Sequence, residues 1–260
     1  MVGVIGGSGL YEIAGFRKAE EKVLDTPYGE PSGPYTIGEL SGSMVAFLPR
    51  HGSPHRIPPD RINYRANIWG FRQLGAERII SVSASGGINR QCLPGDIVLL
   101  DQVIDMVQGM RPCTFYGDDG AVHVDFTEPY CPELRQSILL AGQKAGIGMR
   151  KTGTYVCVNG PRLESRAEIG FYGMIGADVV GMTGMPEASL ARELEICYAG
   201  VTVVTNYAAG ISGKKLTAVE VVERMRESNE AIKLLLSETL PLVPGQRGCP
   251  CREALKDARM

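Results

Sequence analysis

Positive charge is nowhere concentrated in this sequence. The 27 Lys plus Arg stand against 29 Asp plus Glu, the formal charge is -2, and no basic block gathers the cations into one segment. Nucleic acid is therefore not expected as a partner, because binding a phosphate backbone needs a cationic face. Apolar runs long enough to cross a bilayer are missing too, and MVGVIGGSGL opens without a basic leader region. A soluble, cytoplasmic protein with no membrane partner is expected. Histidine is scarce, at three residues. His51 and His55 are four apart, but Pro54, Pro58 and Pro59 oppose a helix and no HExxH pattern occurs, so no metal is expected there. The GxSxG elbow and CxxC motifs are absent as well, which disfavours a covalent hydrolase.

Seven cysteines make an odd set, and only Cys249 and Cys251 form a close pair. Most read as buried thiols. The terminal pair is too close for a zinc knuckle without a second pair. It reads as an unpaired tail feature before a local disulfide or redox pair, since intracellular disulfides are rare.

What the chain does have is a core. Of 260 residues, 44% are hydrophobic and 22% charged, enough apolar surface to fold unaided. Short β-branched runs at 2–5, 44–48, 78–82, 96–100, 154–158, 178–182 and 200–204 read as buried strands. Stretches with helical spacing lie between them, at 60–74, 132–145, 164–175, 186–196 and 217–239. Strands alternating with helices predict a single α/β domain over 1–242, a sheet layered by helices. After Pro241, VPGQRGCPC breaks any helix, so 243–260 reads as a C-terminal extension.

Several of these strands run straight into small, hydroxyl or basic residues. The first enters Gly6, Gly7, Ser8 and Gly9, whose amides can close on an anion. The spacing is neither a dinucleotide fingerprint nor a nucleotide phosphate loop, so free phosphate fits better than NAD or ATP. Arg50 and His51 follow the run at 44–48: the guanidinium fork suits a tetrahedral oxyanion through two hydrogen bonds, and the imidazole adds a donor beside it. Ser83 and Thr183 follow two further strands. Ligands of open α/β sheets collect at strand ends, so Ser8, Arg50, His51, Ser83 and Thr183 are expected to converge on one anion.

The motifs GVIGGSGLY, DTPYGEPS, PRHG, NYRANIW, GDIVLLDQVID, RPCTFYG, GPRLESRAE and GMTGMPEASLARELEICYA resemble the methylthioadenosine phosphorylase branch of the trimeric purine nucleoside phosphorylases, from about residue 2 to 240. The resemblance implies a mixed central β-sheet flanked by helices, a homotrimer or dimer of trimers, and reversible phosphorolysis of a purine nucleoside. Inorganic phosphate would be a co-substrate, with no cofactor. It further implies that Ser8, Arg50, His51, Ser83, Ala84 and Thr183 hold phosphate and that Met182 lies against the nucleoside. His123 would come from a neighbouring subunit toward the sugar 5′ position, and Tyr207 would line the base site.

Two positions depart from the adenine-directed pattern. TNYAAG places Asn206 and Ala208 where adenine-directed members resemble TDYD, and Glu164 replaces a small hydroxyl residue in GPRLE. A 6-oxopurine accepts at O6 and donates at N1, the reverse of a 6-aminopurine. Asn206 can donate to O6 and accept from N7–H, and a Glu164 carboxylate accepts from N1–H. Taken alone, Glu164 would as readily serve the dipole of a following helix. The expected activity is a 6-oxopurine nucleoside phosphorylase acting on inosine or guanosine, with Asn206 and His51 as its catalytic groups. Leu163, Val219 and Val222 leave a methylthio group at the sugar 5′ position open as an alternative, with methylthioinosine or methylthioadenosine as substrate. A nucleoside-binding sensor without turnover is the non-enzymatic alternative.

Overall fold

The computed structural model describes residues 1–7, 13–109, 111–117, 120–213 and 215–259. Among them, eleven strands form one mixed sheet. These are β1 (Val2–Gly6), β2 (Arg17–Lys22), β3 (Tyr35–Leu40), β4 (Ser43–Pro49), β5 (Arg78–Gly87), β6 (Ile97–Leu99), β7 (Gln102–Asp105), β8 (Met149–Arg150), β9 (Thr154–Cys157), β10 (Val179–Gly181) and β11 (Cys197–Tyr207). All seven predicted runs fall on strands. The four not anticipated, β2, β3, β7 and β8, each lack a plain period-two apolar signal. RKAEEK in β2 is exposed throughout and is held as a charged edge strand by β3, while Gly38 interrupts β3 and β8 is a two-residue pairing with β6.

The predicted helical stretches hold α1 (Tyr64–Gln73), α2 (Pro132–Lys144), α3 (Arg166–Met174), α4 (Glu187–Glu193) and α5 (Ala218–Thr239). Side chains start most of them: Asn63 accepts from the Ala66 N–H, Thr217 from Glu220, and Ser165 forms a reciprocal capping box with Glu168. The central strands β1, β4 and β5 are largely buried on both faces, so alternate residues enter different cores. Ile5, Ala46, Leu48 and Ile79 face a cluster shared with Ile68 and Phe71 of α1 and Leu190 of α4. Val4, Val45, Phe47 and Ile80 face a second cluster with Leu134 and Ile138 of α2 and Leu235 of α5.

The pairing of β5 positions the site. Arg78–Ser81 pair with β1, and Gly86 and Gly87 pair with β10 on the same flank, while β11 follows the whole strand in parallel. Residues 82–85 therefore have β11 on one side and, among the described residues, no strand partner on the other. The sheet opens there, at the ends of β1, β4 and β10.

The segment after residue 242 packs back onto the domain. Arg78 donates to the Pro244 carbonyl, Pro250–Glu253 form a 3₁₀ turn, and Cys249 and Cys251 are buried in the second core.

Gly70 of α1 faces the buried ring of Tyr35, whose hydroxyl donates to the Asn67 carbonyl. A Cβ at residue 70 would fall inside van der Waals distance of that hydroxyl. Alanine gains roughly 1 kcal/mol of helix propensity over glycine, whereas overpacking a core costs about 1–3 kcal/mol. Gly70→Ala is therefore expected to lower the urea midpoint; an unchanged or raised midpoint would show that the ring yields freely.

Candidate active site

The opening in the sheet leads into a cavity of about 540 Å³. Arg50 and His51 reach it from the end of β4, Ser83 and Ala84 from the unpartnered stretch of β5, and Met182 and Thr183 from the turn after β10. Leu163 and Glu164 precede α3, and Asn206 and Ala208 end β11. Ten of the residues expected in the site are thus brought together. Ser8 lies outside the described residues; Gly7, just before it, lines the cavity. Tyr207, Val219 and His123 are not among the lining residues. His123 is exposed, with its backbone N–H on the Ala258 carbonyl, and Val219 is 64% exposed on the first turn of α5.

Val222 was expected and lines the cavity as well, but sequence reasoning missed His55, Ser85, Thr205, Leu216 and the rest of the inner face of α5. Val222, Met225, Arg226 and Asn229 of that helix line the cavity at spacings of three, four and seven. That spacing was visible as amphipathicity, but a stripe facing a cavity looks the same in sequence as one facing a core. His55 stacks on His51 with ring centroids 4.2 Å apart.

Arg50 departs from the expected two-bond clamp on an anion. It is 2% exposed, and its fork is taken by Glu187 of α4, with Nε and Nη2 each donating to a carboxylate oxygen at 2.8 Å. Nη2 also donates to Ser81 Oγ at 2.7 Å, and Nη1 donates to the Val82 carbonyl at 2.9 Å. Among the described residues, one Nη1 N–H is left without a partner. Burial alone would disfavour the Arg50 charge, but the Glu187 carboxylate outweighs it and holds the guanidinium above its ordinary pKa. The carboxylate also accepts from Tyr198 Oη at 2.8 Å, so both its oxygens are engaged. Arg50 thus offers the cavity a fixed cation and a single donor.

His51 also differs from expectation. Burial, then the neighbouring Arg50 charge, lowers its pKa to about 4, so the ring is neutral at pH 7. Its Nδ1 lies 2.8 Å from the Ile57 carbonyl, which can only accept. The proton therefore sits on Nδ1, and Nε2 is left as an acceptor rather than the extra donor expected. Such a ring suits a protonated phosphate oxygen or a sugar hydroxyl.

Asn206 is aimed by a bulge: the register of β11 against β5 slips between Val204 and Asn206. Its Nδ2 donates to the Tyr207 carbonyl and its Oδ1 accepts from Thr205 Oγ1, both at 2.8 Å. The Tyr207 carbonyl cannot donate, so the amide cannot flip. Among the described residues, one N–H and one lone pair of this cavity-lining amide are left without a partner. Glu164 is partly buried and its pKa is raised by that burial. α3 is capped by Ser165 and Glu168, and Arg162 pairs with Glu168 at 2.6 Å, while the Glu164 carboxylate accepts from its own backbone N–H and Glu164 lines the cavity.

A helix-flanked mixed sheet with a largely apolar cavity between strand ends, a buried cation on one side and an oriented amide on the other, defines a small-molecule enzyme of the α/β class. The chain belongs to the Phosphorylase superfamily, which it matches over residues 1–241. It is 53% identical over 257 residues to a probable S-methyl-5′-thioinosine phosphorylase of Thermodesulfovibrio yellowstonii, covering 99% of this chain and 96% of that one. It is 52% identical over 264 residues to the 6-oxopurine nucleoside phosphorylase of Pyrococcus furiosus, covering 99% and 98%. Among solved structures, a methylthioadenosine phosphorylase from an antarctic soil metagenomic library superposes with a TM-score of 0.93 at 37% identity, covering 100% of this chain and 92% of that one. No helix among the described residues is long and apolar enough to cross a membrane.

Two outcomes follow from the buried groups. Glu187→Ala strands a buried guanidinium and is expected to cost about 3–5 kcal/mol, as broken buried pairs do; urea unfolding measures it, and a loss under ~1 kcal/mol would mean that Arg50 finds another partner. For His51, the folded pKa of about 4 lies below the ordinary 6.5, so the unfolded chain takes up the proton first as pH falls. Its contribution to stability is complete above 6.5 and is lost between 6.5 and about 4. The stability of His51→Gln should therefore fall less steeply across that window than that of the parent; parallel curves would place the proton elsewhere.

Proposed function

We propose that this chain is a 6-oxopurine nucleoside phosphorylase that cleaves inosine or guanosine reversibly with inorganic phosphate, giving the free base and ribose 1-phosphate. The observation that carries this reading is the presence of a pinned Asn206 amide and the Glu164 carboxylate in the same cavity as Arg50. The spare N–H and lone pair of Asn206 match O6 and N7–H, and the carboxylate of Glu164 matches N1–H. Ala208 leaves no carboxylate to oppose O6. Each mismatched polar group costs about 1–3 kcal/mol, so two mismatches approach a thousandfold preference over an aminopurine.

Phosphate would lie by Arg50, His51, Ser83, Ala84 and Thr183, with Ser8 at the adjoining glycine turn, and Met182 would lie against the nucleoside. Held there, the nucleophile is oriented toward the sugar carbon, which turns an encounter into a positioning problem. The glycosidic bond lengthens, electrons pass into the purine, and phosphate attacks the opposite face of the sugar. Asn206 steadies the departing base by donating to O6 and accepting from N7–H, in a site with little competing water. His51, neutral and accepting at Nε2, orients the phosphate proton or a sugar hydroxyl. No cofactor or metal is called on in this chemistry.

A second reading, S-methyl-5′-thioinosine as substrate, is favoured by the apolar side chains of Leu216, Val222 and Met225 along the cavity. Assembly as a homotrimer or dimer of trimers in the cytoplasm completes the proposal; His123, remote from its own chain's cavity, would then serve the 5′ position of a neighbouring subunit.

The test is phosphate-dependent release of the free base, hypoxanthine from inosine and methylthioinosine and adenine from adenosine and methylthioadenosine, compared side by side. The inosine to adenosine ratio of kcat/KM should exceed one and fall about 10- to 100-fold in Asn206→Asp, the worth of one mismatched hydrogen bond. An unchanged ratio in that variant would remove Asn206 from base selection, and no turnover with any purine nucleoside would leave a binding protein.

A further inference from the structure

The terminal Cys249-Pro250-Cys251 pair lacked a second pair in the sequence; the fold supplies one. Cys131 caps the N-terminus of α2 and Cys197 begins β11, and their sulfurs meet those of Cys249 and Cys251, all four within 4.8 Å of one another and all buried. The closest resolved approach is Cys197 Sγ to Cys249 Sγ at 3.3 Å. A tetrahedral zinc tetrathiolate with bonds of about 2.3 Å has sulfur to sulfur edges of about 3.8 Å, inside this range. We propose that Cys131, Cys197, Cys249 and Cys251 form a closed structural zinc site that fastens the segment after residue 242 to α2 and β11.

The end of α2 favours a thiolate there. The Leu134 N–H donates to Cys131 Sγ at 3.4 Å, at the positive end of a 13-residue helix. A Zn(Cys)₄ unit carries two net negative charges, and the helix end is placed to offset part of them. Zinc, with no redox chemistry of its own and a preference for four thiolates in a tetrahedron, fits the donor set. Binding displaces the thiol protons to solvent, so no oxidant is required. The cluster lies apart from the cavity, whose lining contains none of these cysteines, and the site would stiffen the fold without entering the reaction.

The test uses the full chain purified under reducing conditions. Elemental analysis should find about one zinc ion per chain, as a closed four-ligand site binds. Cys249→Ser/Cys251→Ser should lose that zinc and melt at a lower temperature, while Cys113→Ser, an exposed thiol outside the cluster, should keep both. Should the double variant fail to fold, the parent protein still decides: stripped of metal and titrated with Co²⁺, it should show thiolate-to-cobalt charge-transfer absorption and the intense visible bands of tetrahedral cobalt. Iron in place of zinc, no metal with free thiols, or two disulfides seen as a mass loss without reductant would each overturn the assignment.

Discussion

The buried pair of Arg50 and Glu187 is the interaction on which the site depends. Through one guanidinium it joins the end of β4 to the α4 carboxylate, Ser81 and the Val82 carbonyl, and through Tyr198 it reaches β11. Two charges in a dry interior are tolerated because nearly every donor and acceptor they carry is matched. The arrangement leaves the cavity beside a cation that cannot swing away or lose its proton. It also explains why His51 is neutral: a second positive charge beside Arg50 in so little water is unfavourable.

Geometry at the other end of the cavity is set by the sheet. β5 leaves β1 after Ser81 and meets β10 only at Gly86, and between these points the backbone borders a cavity instead of a strand. The bulge in β11 then turns Asn206 toward the same space. The open stretch of β5 and the placement of Asn206 are therefore both set by irregularities in one pair of neighbouring strands. Ordinary β pairing around them keeps both in place.

Much of this was legible in the residues. The seven β-branched runs and five helical stretches mark most of the elements, because burial on both faces of a parallel sheet demands uninterrupted apolar strands. Most of the site was legible too, since hydroxyl and basic residues at strand ends have few structural reasons to recur. β2 escaped notice because an exposed edge strand owes its form to its neighbour. Met225, Arg226 and Asn229 were not assigned to the cavity, since a helical stripe does not say what it faces. Val219, Tyr207 and His123 shared the site's chemistry on paper yet lie off the cavity lining of their own chain.

Composition and local pattern were enough to establish an α/β domain and to pick out many of the side chains that line its cavity, because propensity, periodicity and donor or acceptor character belong to the side chains themselves. Three-dimensional packing determined how those groups are used. Glu187 lies 137 positions from Arg50, and its occupation of the guanidinium fork, the accepting edge of His51, the unflippable Asn206 amide and the meeting of four distant cysteines all arise from contacts between segments remote in the chain. Such contacts exist only once the sheet has brought those segments together.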